Sequence, residues 1–272
     1  MNGGKGATGG GDNNADYCNW ENSWSCNSVY VETALYGNTD RNGDIFISGT
    51  WEANGGEGVD GRGGYGGYIY LQTDALGAVT INSTMSVKGG DSTGTGSYSG
   101  ASTYGIDIYH SFDPYGMGFT LPATAGKIRI AGKYDLRGGS GDEMGGDGGY
   151  LEVYGNNYNQ DVPGADIELV GFAVIDLNGG KGTNGGSASS NAFQLYTYSA
   201  GGTPGGPITN EANIEAMGGK ATGAVGTGGN GGDIIMSSDM PPTLYTGPMS
   251  VAGGTGTTPG SPGTITIDGS PI

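Results

Sequence analysis

The chain has 272 residues, with 10 basic and 27 acidic side chains for a formal charge of -17, 62 glycines and 34% hydrophobic content. That charge repels polyanions, which excludes nucleic acid as a partner, and no apolar run is long enough for a membrane-spanning helix. The hydrophobic fraction suffices only for a thin core, and so much glycine would lose too much backbone entropy on folding unless most of it sits where only glycine fits.

The amino terminus lacks the charged-then-apolar pattern of a secretory signal and runs into NGGKG at residues 2–6, a string repeated at 178–182. Cys18 and Cys26, the only cysteines, follow in DYCNWENSWSC. Their spacing fits neither a CxxC redox motif nor a four-ligand zinc site. It points to one disulfide closing a small loop in an oxidising compartment, with two free thiols in a cytosolic protein as the alternative. With Trp20 and Trp24 nearby, residues 1–37 read as a glycine-rich capping segment that includes the first strand, and residues 38–272 as a repetitive domain. Next comes NTDRNGDI, where Asp40, Asn42 and Asp44 alternate like the opening of a calcium loop. A structural calcium is the cofactor this suggests. Trp51 stands where such a loop carries its glutamate, so a solvated turn competes with it.

Glycine pairs then recur at Gly55, Gly89, Gly138, Gly179, Gly218 and Gly253, 34 to 49 residues apart, a period that signals a stacked array. Ten residues before successive pairs stand Ile45, Val79, Ile128, Leu169 and Ile208. Four before stand Trp51, Met85, Tyr134, Ile175, Ile214 and Met249, and two before stand Ala53, Val87, Leu136, Leu177, Ala216 and Val251. Such short period-two alternation predicts strands, and no apolar stripe at helical spacing occurs. A third strand is expected in each unit: VYV at Val29, IYL at Ile69, IDI at Ile106, LEV at Leu151, FQL at Phe193, IIM at Ile234 and ITI at Ile265.

Three short strands per unit cannot close a core alone, so stacking must complete it. The expected fold is all-β: a parallel β-solenoid of about six to seven coils, with equivalent strands laid over one another and glycine-rich loops along one side. The pattern resembles the glycine-rich repeats of large bacterial surface and extracellular proteins, right-handed parallel β-helices of the pectin-lyase-like type, over most of residues 28–269. The resemblance rests on the repeat and not on a catalytic signature. It implies a right-handed coil and an extracellular or cell-surface scaffold. The chain begins and ends within the array, so it reads as a piece of a longer repetitive protein or as a subunit that self-associates end to end into a filament.

Aligned on their inward residues, the third strands place Tyr30, Tyr70, Asp107, Glu152, Gln194, Ile235 and Thr266 in one outward column. Glu32, Gln72, Tyr109, Tyr154, Tyr196, Ser237 and Asp268 form the next, in which three successive tyrosines would stack one strand spacing apart. Tyr70, Asp107, Tyr109, Glu152, Tyr154, Gln194 and Tyr196 are therefore the candidate binding residues, for a glycan held by ring stacking and hydrogen bonds or for another protomer. An aromatic ladder that only strengthens the stack explains the same residues.

The resemblance also brings in polysaccharide lyases and glycosidases, for which Asp107, Glu152, Asp166 and Glu168 are the carboxylates in strand contexts. Acidic residues are so numerous that some pair is always near, and the lone His110, in YHSFD, reads as a surface turn residue. No catalytic residue is assigned. GGNGGDIIM at 228–236 matches the calcium-binding nonapeptide of β-rolls, but the equivalent GGYGGYIYL and GGDGGYLEV carry Tyr68 and Tyr150 in place of the aspartate. The threonine rows of an ice-binding face and Walker-type phosphate loops are missing. The favoured function is a non-enzymatic extracellular structural or adhesive scaffold. A carbohydrate-binding or polysaccharide-degrading β-helix is the alternative.

Overall fold

The computed structural model describes residues 28–33, 44–73, 77–110, 126–155, 165–198, 205–240 and 242–272. Cys18, Cys26, Asp40 and Asn42, and with them the disulfide and most of the calcium loop, lie outside these residues. All regular structure among the described residues is β.

One sheet takes a single strand from each unit: Ser28–Thr33, Tyr68–Thr73, Gly105–His110, Tyr150–Gly155, Phe193–Thr197, Ile234–Ser238 and Ile265–Ile267. All are parallel, and their register carries Val29, Ile69, Ile106, Leu151, Phe193, Ile234 and Ile265 in one row. That is the row the third-strand alignment predicts. The strand Ser270–Pro271 then pairs with Ile265–Ile267 in the opposite direction.

The second sheet stacks Ile45–Glu52, Val79–Ser86 and Ile128–Asp135 as continuous strands in parallel register. Later units break the strand in two: Ile167–Leu169 with Val174–Asp176, Ile208–Asn210 with Asn213–Glu215, and Leu244–Tyr245 with Met249–Ser250. Counting back from the glycine pair misplaces one residue. Ile167, not Leu169, lies beside Ile128, and Leu169 lies beside Ile130, because the corner before Ile175 holds two residues more than the corner before Tyr134.

The inward faces of the two sheets meet in one apolar core. Ile69, Leu71, Ile106, Ile108, Leu151 and Val153 from the first sheet, and Val79, Ile81, Met85, Ile128 and Ile130 from the second, are fully buried. At roughly 1.5–3 kcal/mol for each fully buried aliphatic side chain, such rows stabilise a core only a few side chains wide. The outer end of the first sheet's inward face is polar. His110 is buried there, where sequence reading places a surface turn, and its Nε2 lies 2.9 Å from the Gly77 carbonyl. Thr197 and Ser238 continue this column and donate to the carbonyl of Gly206 at 2.6 and 3.1 Å. Tethers from side chain to loop carbonyl hold the corner where the strand ends.

The glycine segments hydrogen-bond to one another from unit to unit. Each described unit sends out an arm carrying the recognised pair and returns on a second arm, which in four units carries another pair: Gly63 and Gly64, Gly145 and Gly146, Gly185 and Gly186, and Gly228 and Gly229. Gly64 donates its N–H to Gly56 within one unit, and Gly90 of the next unit donates to Gly64. The alternation continues from Ala101 to Gly90, Gly139 to Ala101, Gly146 to Gly139, Gly180 to Gly146, Gly186 to Gly180 and Gly219 to Gly186, and on to Gly260, at 2.7–3.0 Å. Main-chain groups that would otherwise be buried without partners are thereby satisfied. The arms are so close that a Cβ on Gly180 would sit 1.9 Å from the Gly139 carbonyl oxygen. Side-chain rungs add to the ladder: Asp91 Oδ1 accepts the Ser140 N–H, Asp147 that of Ser187, Asn178 that of Met217, and Asp233 that of Thr264, all at 2.6–2.8 Å.

Gly180→Ala is expected to lower stability by roughly 3 kcal/mol or more, since backbone must move on two arms. Gly171→Ala, whose new Cβ would meet the Glu211 side chain at 3.2 Å and backbone no nearer than 3.9 Å, should change it by about 1 kcal/mol or less. Chemical denaturation of both variants checks the pair, and equal losses would refute the close-packing account.

Candidate functional site

The predicted columns are present on the outer face of the first sheet. Tyr30, Tyr70, Asp107, Glu152 and Gln194 lie side by side across it, and Gln72, Tyr109, Tyr154 and Tyr196 do so two positions later. Alternation along each strand sets this, because residues two apart share a face. Asp268 leaves its predicted column: it has a positive φ of 46° in a turn and accepts hydrogen bonds from Thr243 and Ser238.

The rings form one continuous row. Tyr30 stacks on Tyr70 at 4.4 Å between ring centres, the row steps across to Tyr109 at 5.4 Å, and Tyr109, Tyr154, Tyr196 and Tyr198 follow at 5.1, 5.2 and 5.5 Å. The faces of the inner rings are thus covered by their neighbours. The Tyr70 hydroxyl donates to Gln72 and that of Tyr154 to Gln194, so a ligand lying along the row would meet ring edges and not open ring faces.

Within this face Asp107 and Glu152 occupy adjacent strands at the same register. Tyr68 and Tyr150 flank them on one side, Tyr109 and Tyr154 on the other, and only 5% of Asp107 remains exposed. Gly105 makes this possible: a Cβ there would lie 2.7 Å from the Tyr150 ring, so its absence lets that ring lean over the strand. Tyr68 donates its hydroxyl to Asp107 Oδ2, while Oδ1 is buried without a partner among the described residues. Burial pushes the Asp107 carboxyl up to about 7, against the pull of the Tyr68 hydrogen bond and with a further push from Glu152. Burial also raises Glu152, lifts the Tyr154 phenol to about 12, and moves those of Tyr68 and Tyr109 further still.

Sequence reasoning did not include Tyr68, Tyr150, Tyr30 or Tyr198 in the site. The signal was available for the first two, since YIYLQ and YLEVY carry a third outward position two residues before the columns that were aligned. The other strand carboxylate, Glu168, forms an ion pair with Lys127 at 2.5 Å on the second sheet, away from this face. Asp44, the described member of the calcium loop, accepts the Ala78 N–H at 2.8 Å, and Asp233 of the β-roll match is occupied by Thr264. Among the described residues no group of three or more metal-ligating side chains comes together.

The two buried titrating groups of the Gly105–His110 strand oppose each other. Asp107 rises from 3.8 to about 7 on folding, so its contribution is full below pH 4 and is lost as pH rises toward 7. Burial lowers His110 from 6.5 to about 4, so its contribution is full above pH 6.5 and is lost as pH falls toward 4. Asp107→Asn removes only the first. The stability of the variant relative to the wild type should be higher at pH 8 than at pH 4 by on the order of 4 kcal/mol. Urea denaturation at both values measures it, and a pH-independent difference would mean that Asp107 titrates as a surface carboxylate.

Compared with protein-family models, curated proteins and solved structures, the chain matches none, so its resemblance to pectin-lyase-like β-helices rests on the repeat pattern alone.

Proposed function

We propose that this chain is a right-handed β-solenoid of about six to seven coils, its glycine arms along one side, acting as a non-enzymatic structural or adhesive scaffold outside the cell. One observation supports this most: the first sheet keeps a single register through seven successive parallel strands, and the glycine arms keep step with it. Stacked units in register make a rigid block whose outer columns repeat at roughly the 4.8 Å strand spacing. The high negative charge of the chain keeps such a block soluble. Within a larger surface protein the block would serve as a spacer.

A second reading, glycan binding along the tyrosine face, is favoured by the row of phenol groups with Glu152 beside it. Tyr154 reaches toward Gln194 at 3.5 Å, a weak bond that a ligand hydroxyl would replace. Cleavage has less support. Asp107 and Glu152 are spaced as neighbours in a sheet, near the separation of a retaining glycosidase pair, but tyrosines cover the Asp107 carboxyl and leave no approach for a sugar ring.

Hydrogen exchange tests the scaffold reading: the amides of Gly139, Gly180 and Gly219 should exchange only through global unfolding, and exchange at loop rates would sink it. A glycan array tests the second reading, since retained binding that falls at least tenfold in Tyr109→Ala and Tyr154→Ala would establish it. Tyr154→Ala should also lower stability by roughly 1–3 kcal/mol through the loss of two ring stacks.

A further inference from the structure

The last unit departs from the others at several points, and all the departures act on its outer edge. The strand Ile265–Ile267 would present that edge to whatever lies beyond. It is covered by Ser270–Pro271, the one antiparallel pairing among the described strands, with Thr266 opposite Pro271 and Ile267 opposite Ser270. The turn between them is Asp268–Gly269, with φ of 46° and 76°, the two positive values that a two-residue hairpin of the primed type requires. Asp268 is fastened from below: its N–H donates to Met236, and its carboxylate accepts from Ser238 and from both the N–H and the hydroxyl of Thr243. The Ile272 N–H completes the cover by donating to Ile265.

The glycine arm of the same unit is altered in the same sense. Thr227 pairs with Thr258 across adjacent arms, which places Pro259 where the preceding unit has Gly228. Gly228, like Gly185 and Gly145 before it, donates its N–H forward to the next unit. Gly231 also donates forward, to Ser261, which places Pro262 at the corresponding position. Proline has no N–H. Two of the donors that would reach out to another unit are therefore deleted in the last one. The second sheet ends in the two-residue strands Leu244–Tyr245 and Met249–Ser250. Short edge strands, proline and a covered edge are the means by which sheets resist pairing with further chains.

We infer that the edge of Ile265–Ile267 is a latent self-association surface, complementary to a second copy of this chain laid on in the same parallel register, and that the Asp268–Gly269 hairpin keeps it shut. The partner is a second copy because every internal strand of the sheet already accepts an equivalent strand in that register. The inference rests on the stacked-unit reading proposed above, which hydrogen exchange tests separately from association.

The test compares the full chain with a truncation ending at Asp268, which keeps the Asp268 contacts and removes the covering strand. Light scattering coupled to size exclusion, over a hundredfold concentration range, should give a constant mass of 27.2 kDa for the full chain. For the truncation it should give a mass that rises at least twofold with concentration, with stacked particles in negative stain. Gly269→Val keeps the length but places a β-branched residue at positive φ, displacing the strand, and should behave like the truncation. Restoring the forward donors with Pro259→Gly and Pro262→Gly in the truncation should strengthen association further. A truncation that folds, by far-ultraviolet circular dichroism, and stays monomeric would overturn the inference. So would a full chain that already stacks to the same extent, or unfolding of both the truncation and Gly269→Val, since a cover over a finished sheet is not needed to build it.

Discussion

Everything in this structure depends on how near one backbone can come to another. In the glycine arms the carbonyl of one unit occupies the volume a side chain would fill in the next, and the hydrogen bonds between arms exist only at that distance. The sheets follow from it. Once the arms are locked, equivalent strands can only lie over one another, and the apolar positions become rows without a large hydrophobic residue at every site. A chain with this much glycine folds because the residue that loses most entropy on ordering also lets neighbouring arms hydrogen-bond main chain to main chain.

Much of this was legible in the sequence, and what was missed has specific physical causes. The row from Val29 to Ile265 could be read because each strand is short and alternates strictly, so inward residues identify themselves. Leu169 was misplaced because counting from a landmark assumes a corner of constant length, and corners are set by local turn geometry. His110 looked like a turn residue because a lone histidine beside a serine and an aspartate has a polar neighbourhood in sequence. In space it belongs to the inward parity of its strand and meets a loop carbonyl. The second glycine column was overlooked because it was weighed as a calcium motif, a case where composition suggested chemistry and the cause was packing. The Asp-Gly hairpin at the end carries a strong local turn signal, two residues set between alternating segments, and was passed over for the repeat.

The tyrosine face shows how a binding-site signature and a structural one can share the same residues. Rings repeated at the strand spacing turn toward one another, so the ladder consumes the ring faces that sugar stacking would use. What it leaves outside is a line of ring edges, beside a carboxyl that burial holds well above the usual carboxylate range. Recognition by such a surface would be polar and periodic, with the period set by the backbone of the sheet.

The longer corner before Ile175 has a consequence for how such a chain changes over generations. Two extra residues are accommodated there with the register kept on either side, and the ladder gives way only at the corner itself, where one continuous strand becomes two. Insertions and deletions can accumulate at corners and in the connections between strands, while the arms tolerate neither. A comparison that counts residues therefore sees units of drifting length, whereas the hydrogen bonds count identical ones. Relatives of this protein would diverge first in their spacing and last in their glycines.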